Sequence, residues 1–144
     1  MSGPGRTVVR WLPATAVLLA AVALLSDSPG PVSVALGAVV LVLAWMFSPL
    51  FFPRSPGDSE GRRRAAAEGR PLVYWRPGCS YCFRLRISLG LRAGEAVWVD
   101  VTTDTDASAR VRAANGGDET VPTVVVGDET VTNPAPAWVR ARLP

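Results

Sequence analysis

Two cysteines, Cys79 and Cys82, are the only thiols in this 144-residue chain, and they stand two residues apart in "RPGCSYCF". A Cys-x-x-Cys pair can ligate metal, staple a loop or exchange disulfides. Structural zinc takes four Cys or His ligands, and the chain has no histidine, so a site within one chain would have to recruit carboxylates. Haem attachment needs His directly after the second cysteine, where Phe83 stands. A disulfide closing so short a loop removes little chain entropy, because that benefit grows with loop length. What remains is redox exchange, in which a thiolate attacks a disulfide sulfur and a second thiol clears the mixed disulfide. A cluster shared by two chains through Cys79 stays open as an alternative.

The flanking segments supply the elements that must position such a pair. "PLVYW", closed by "RPG", has the length and composition of a buried strand, and "CSYCFRLRISLGLRAG" that of a helix ending at Gly94. Cys82, Leu85 and Leu89 fall on one helical stripe and Phe83, Ile87 and Leu91 on a second, with Arg86 interrupting the apolar side. Cys79 then lies at the first turn, where the amides of Tyr81 and Cys82 face its sulfur. The helix dipole there favours an anion by about 0.3 to 2 kcal/mol, and Arg76 adds a neighbouring positive charge. Cys82 lies one turn deeper on the same face. The asymmetry assigns Cys79 as nucleophile and Cys82 as resolving thiol.

Downstream, "AVWVDV" is a buried strand, and "TDTDASARVRAANGG" is a helix capped by Thr103 or Asp104 and stopped at "NGG". "PTVVVGDETVTN" gives two strands turning at Gly127 and Asp128, and the segment from Pro134 to Leu143 is a last helix with Asn133 as cap. The order is βαβαββα. A right-handed βαβ crossover pairs the first two strands in parallel and the last two form a hairpin, so the expected architecture is an α/β mixed four-stranded sheet with helices on its faces. In "TVPT", residues 120–123, Pro122 opens a strand expected beside the first. A cis Val121-Pro122 bond would turn the Val121 backbone outward to pair with an incoming disulfide substrate.

With "CSYC", "NGGDETVPTV" and "VTNP" in place, residues 71–143 resemble a glutaredoxin, and within that family a mycoredoxin. The resemblance implies a thioredoxin-like fold and reduction of mixed disulfides between proteins and a low-molecular-weight thiol. That thiol would be mycothiol, with glutathione as the alternative, used as a co-substrate with no tightly bound cofactor. It further implies that Thr120, Val121 and Pro122 hold the backbone of the thiol adduct, and that Thr132 and Asn133 bind its polar end. Arg76 and Tyr81 border the same groove. Ser80, where related motifs carry Gly or Pro, and "RPG" ahead of Cys79 depart from the pattern.

The first third of the chain has a different texture. "WLPATAVLLAAVALL" and "VSVALGAVVLVLAWMFSPLFF" carry no charge. A bilayer core roughly 30 Å thick needs about 20 helical residues to cross. Two transmembrane helices are therefore expected, at about residues 7–25 and 32–52, in a membrane anchor of residues 1–53. A signal peptide with "AVA" as its cleavage site is the rival for the first. Residues 54–70, rich in Pro, Gly, Ser and Arg, read as a flexible basic linker, ahead of a domain at 71–144. Arg54, Arg62, Arg63, Arg64 and Arg70 follow the second span, which places the redox domain, and the amino terminus with it, on the cytoplasmic side of the cell membrane. The net charge of +3 arises wholly in residues 1–70, with seven Arg against four acids, while residues 71–144 balance eight against eight. A neutral domain offers no field for nucleic acid. The expected partners are the bilayer, protein mixed disulfides (membrane proteins among them) and the small thiol. The alternatives to an oxidoreductase are an iron–sulfur carrier using Cys79 in a dimer and a membrane redox sensor that does not turn over.

Overall fold

The structure, a computed structural model, describes residues 19, 22–23, 30–46 and 55–144. The chain divides into two compact units, residues 1–54 and 55–144. In the first, helix α1 (Pro31–Met46) carries no charge over 16 residues and is apolar except for Ser33. Its amino end is closed by Ser33, whose hydroxyl accepts from the Gly30 amide at 2.9 Å and donates to the Gly30 carbonyl at 2.8 Å. Val32, Val34, Leu36, Val39 and Leu41 to Leu43 are all exposed. At 1.5 Å per residue α1 reaches only about 24 Å, and no helix among the described residues is long and apolar enough to cross a membrane. Two transmembrane helices are thus not seen. The segment expected at 7–25 lies outside the described residues except for Leu19, Val22 and Ala23, and so do residues 47–52 of the second.

The second unit begins with a helix where a linker was expected. Helix α2 (Asp58–Glu68) precedes β1 (Leu72–Trp75), α3 (Ser80–Leu89), a 3-10 turn (Gly90–Glu95), β2 (Val97–Asp100), α4 (Thr105–Ala114), β3 (Thr123–Val126), β4 (Glu129–Thr132) and α5 (Pro136–Arg140). The strands form one sheet in the order β2-β1-β3-β4. β1 runs parallel to β2, with Leu72 opposite Val97 and Tyr74 opposite Val99, and antiparallel to β3, with Val73 opposite Val124. The β3–β4 hairpin completes it. Every residue of β1 and β2 is buried, as expected of strands whose two faces are covered by helices, although β2 stands at the edge of the sheet. This is the mixed four-stranded α/β sheet of a thioredoxin-like fold.

The face bearing Leu72, Tyr74 and Val99 is covered by α2 and α4. α2 contributes almost no large apolar side chain. It approaches through Gly61, where an added Cβ would stand 2.5 Å from Val99 Cγ2 and 3.4 Å from Leu72 Cδ1, and through buried Ala65. Its first residue, Asp58, is 3% exposed and accepts from the Tyr74 hydroxyl at 2.5 Å and from Arg110 Nε of α4 at 3.2 Å. Gly69 ends the helix in the left-handed region at φ +62°. Next to it, Arg70 donates to the carbonyls of Gly94, Glu95 and Ala96. The flexible-linker expectation for residues 54–70 is therefore corrected: the folded unit starts near Ser55, because small residues and one buried carboxylate seat α2 without any apolar stripe.

α3 and α5 lie on the other face. Cys82, Leu85 and Leu89 are buried as their spacing predicts, whereas Ile87 and Leu91 of the second stripe remain exposed. Arg86 is accommodated by laying its guanidinium 5.0 Å from the centre of the Trp98 ring, a cation–π contact. The α-helix stops at Leu89 rather than Gly94, since Gly90 turns to φ +59° and its amide closes onto the carbonyls of Arg86 and Ile87. The last helix is shorter than expected. Asn133 takes φ +48° instead of capping it, Ala135 is the capping residue, and the helical turns begin with Pro136. α4 starts as predicted, with the Asp104 carboxylate accepting from the amides of Asp106 and Ala107.

Candidate active site

Cys79 is the N-cap of α3, with its backbone extended at φ −78°, ψ 109°. Its amide donates to the Arg76 carbonyl at 3.4 Å, which closes the Pro77-Gly78 turn, and its carbonyl accepts from Phe83 at 3.1 Å. The sulfur thereby faces the open end of the helix. It accepts from the Cys82 amide at 3.3 Å and lies 2.7 Å from Cys82 Sγ. Both cysteines are free, Cys79 half-buried and Cys82 buried. Burial is the largest influence on the Cys82 thiol and pushes it far up from its ordinary range; its hydrogen bond to Cys79 acts the same way, against a smaller opposing effect of Arg76. One thiol is thus reachable and served by a helix-end amide, and its neighbour is sheltered and kept protonated. That is the division of labour a nucleophile and a resolving thiol require.

The opposite wall comes from the turn before β3. The Val121-Pro122 bond is cis, as expected, and the Val121 carbonyl lies 3.4 Å from Cys79 Sγ. Arg76, Cys79, Ser80, Tyr81, Glu119, Thr120 and Val121 line one cleft of about 410 Å³. Pro122 is buried behind Val121. Asn115, just past α4, fixes this turn by donating to the Val111 carbonyl at 2.8 Å and to Thr123 Oγ1 at 3.1 Å. Thr132 does not line the cleft. It pairs across the sheet with Thr123 and its hydroxyl donates to Asn115 Oδ1. Asn133 is exposed at the end of β4, its amide donating to the Pro122 carbonyl at 2.7 Å.

A protein-family model for glutaredoxin matches residues 72–131, which takes in β1, both cysteines, the cis-proline turn and most of the hairpin. Two Mycobacterium tuberculosis proteins bearing glutaredoxin names, from strains CDC 1551 and H37Rv, are each 38% identical over 72 residues, or 49% of this chain and 86% of the relative. The chain belongs to the glutaredoxin family. It is a thiol-disulfide oxidoreductase, and the glutaredoxin domain occupies its second unit.

One residue of the cleft escapes sequence reasoning. Glu119 accepts from Ser108 Oγ and, at 3.0 Å, from Arg112 Nη2, both on α4, and its Oε1 is 3.9 Å from Arg76 Nη1. The Ser108 hydrogen bond, followed by Arg112 and then Arg76, holds its carboxyl below the ordinary carboxylate range. Its one sequence signal is that it stands directly before Thr120.

Proposed function

We propose that this glutaredoxin is a membrane-tethered enzyme facing the cytoplasm, which removes mycothiol from protein mixed disulfides by way of Cys79. The Cys79 thiolate attacks the mycothiol sulfur of the mixed disulfide, the protein–mycothiol bond breaks, and the protein sulfur leaves as a thiolate that takes up a proton. Cys79 now carries the mycothiol. Either a second mycothiol attacks the sulfur of the bound mycothiol, releasing mycothiol disulfide and the Cys79 thiolate, or Cys82 attacks Cys79 Sγ, releasing mycothiol and leaving a Cys79–Cys82 disulfide. Arg76, Tyr81, Thr120 and Val121 bind the adduct near the sulfur, Pro122 shapes that turn from behind, and Asn133, with Thr132 steadying the strand before it, acts toward the adduct's polar end. Tethering follows from the uncharged run that includes α1 and would concentrate the enzyme near membrane-protein substrates.

The observation that carries the proposal is the unequal burial of two sulfurs 2.7 Å apart at a helix N-terminus. The test is a rate comparison on peptide mixed disulfides of mycothiol and of glutathione, with the wild type, Cys79→Ser and Cys82→Ser. Cys79→Ser should abolish reduction and Cys82→Ser should retain a good part of it, with mycothiol the faster substrate. Equal loss in the two variants would replace the monothiol route by an obligatory dithiol cycle, and a faster glutathione substrate would overturn the choice of thiol.

A further inference from the structure

The cleft beside Cys79 contains two charged side chains among its lining residues, Arg76 and Glu119, and their charges oppose each other at 3.9 Å. Glu119 is not free to leave. Ser108 and Arg112, one turn apart on α4, both hold the carboxylate, so the rigid helix fixes where it stands. Arg76 is the adaptable partner: its side chain is 48% exposed against 21% for Glu119, and its backbone is fixed by the Cys79 turn. The cation that lines the cleft with Cys79 is therefore matched by an anion anchored from a different element.

We propose that Glu119 is a specificity-determining residue: by engaging Arg76 it withholds that cation from an incoming carboxylate and so disfavours small thiols that carry net negative charge. This rests on the proposal that Cys79 takes up the small-thiol half of a mixed disulfide. A thiol such as glutathione brings two carboxylates and one ammonium. Its carboxylates would find Arg76 already engaged, whereas an uncharged thiol has no need of that cation. A cation already matched by an anchored anion discriminates against an anionic partner by withholding its charge.

Glu119→Gln tests this, since the amide keeps an oxygen for Ser108 while removing the charge. The readout is the single-turnover rate of the reduced full chain with one peptide carrying either glutathione or uncharged 2-hydroxyethanethiol in mixed disulfide. The glutathione rate should rise relative to the hydroxyethanethiol rate by roughly two- to fivefold, the scale of an exposed ion pair. That gain should shrink with added salt and should vanish in an Arg76→Gln background. An unchanged ratio, an equal fall of both rates, or a gain that persists without Arg76 would overturn the role of Glu119. Loss of all exchange in the wild type would instead refute the Cys79 reaction itself, so the two failures are distinct.

Discussion

Gly61 is where two opposing effects can be weighed against each other. Replacing glycine by alanine inside a helix ordinarily stabilises by about 1 kcal/mol, because alanine loses less backbone freedom on folding. At Gly61 the new methyl would stand 2.5 Å from Val99 Cγ2, and ordinary contact at 3.4 Å requires a gap 0.9 Å wider. Val99 is fully buried in β2 and cannot turn aside. α2 cannot slide freely either. Asp58 ties it to Tyr74 and Arg110, and the Asp58 amide donates to Asp104 Oδ2 at 2.8 Å. Overpacking of this kind costs about 1 to 3 kcal/mol, so the clash should outweigh the propensity gain. Gly61→Ala is expected to destabilise by about 1 kcal/mol, and Gly61→Val by more, since a β-branched residue adds volume and has a weaker helix preference.

For a unit of this size 1 kcal/mol corresponds to roughly 4 to 8 °C in Tm, well within reach of thermal unfolding followed by tryptophan fluorescence. Gly94→Ala is the control, because an added Cβ there has no heavy atom within 4 Å; it should stay within about 0.5 kcal/mol of the parent. If Gly61→Ala instead raises Tm as an exposed helical glycine would, α2 is not seated on Val99 and Leu72. Residues 55–70 would then be a tether after all.

Two further substitutions probe the same joint. Tyr74→Phe leaves the buried Asp58 carboxylate without its hydroxyl donor, so urea denaturation should show a loss of about 1 to 3 kcal/mol, while an unchanged midpoint would mean Asp58 is solvated. Asp104→Ala removes the cap accepting from Asp106 at 2.9 Å and Ala107 at 3.0 Å, with an expected loss of about 1 to 2 kcal/mol. The Ala107 amide, followed by that of Asp58, holds the Asp104 carboxyl below its ordinary range. A depressed folded value means that its contribution is complete above the unfolded carboxylate pKa, about 3.9, and is lost as pH falls through the folded one. Asp104→Asn should therefore flatten the stability profile below about pH 4 and change its slope little near neutrality; an unaltered acid limb would refute the linkage.

What the sequence revealed and what it withheld divide along a physical line. The cysteine pair, the four strands, the Asp104 cap and the turn at Gly127 were legible because each is written in a few adjacent residues: a spacing, an apolar run, a capping side chain, a glycine. α2 was not. "DSEGRRRAAAE" has no apolar period, and Gly61 and Ala65 become packing residues only because Val99 and Leu72 lie beneath them. Ile87 and Leu91 mislead in the opposite sense: a second apolar stripe at helical spacing suggests burial, yet among the described residues both stay exposed, Leu91 because the helix has already ended at Leu89. Glu119 belongs with α2: its importance comes from Ser108, Arg112 and Arg76, three partners on two other segments. Hydropathy patterns record which residues avoid water and say little about which distant partner a small or charged residue has. In this domain that second kind of information fixes the first helix and sets the charges that line the cleft with Cys79, so the cysteine pair could be read from the sequence while its electrostatic surroundings had to await the fold.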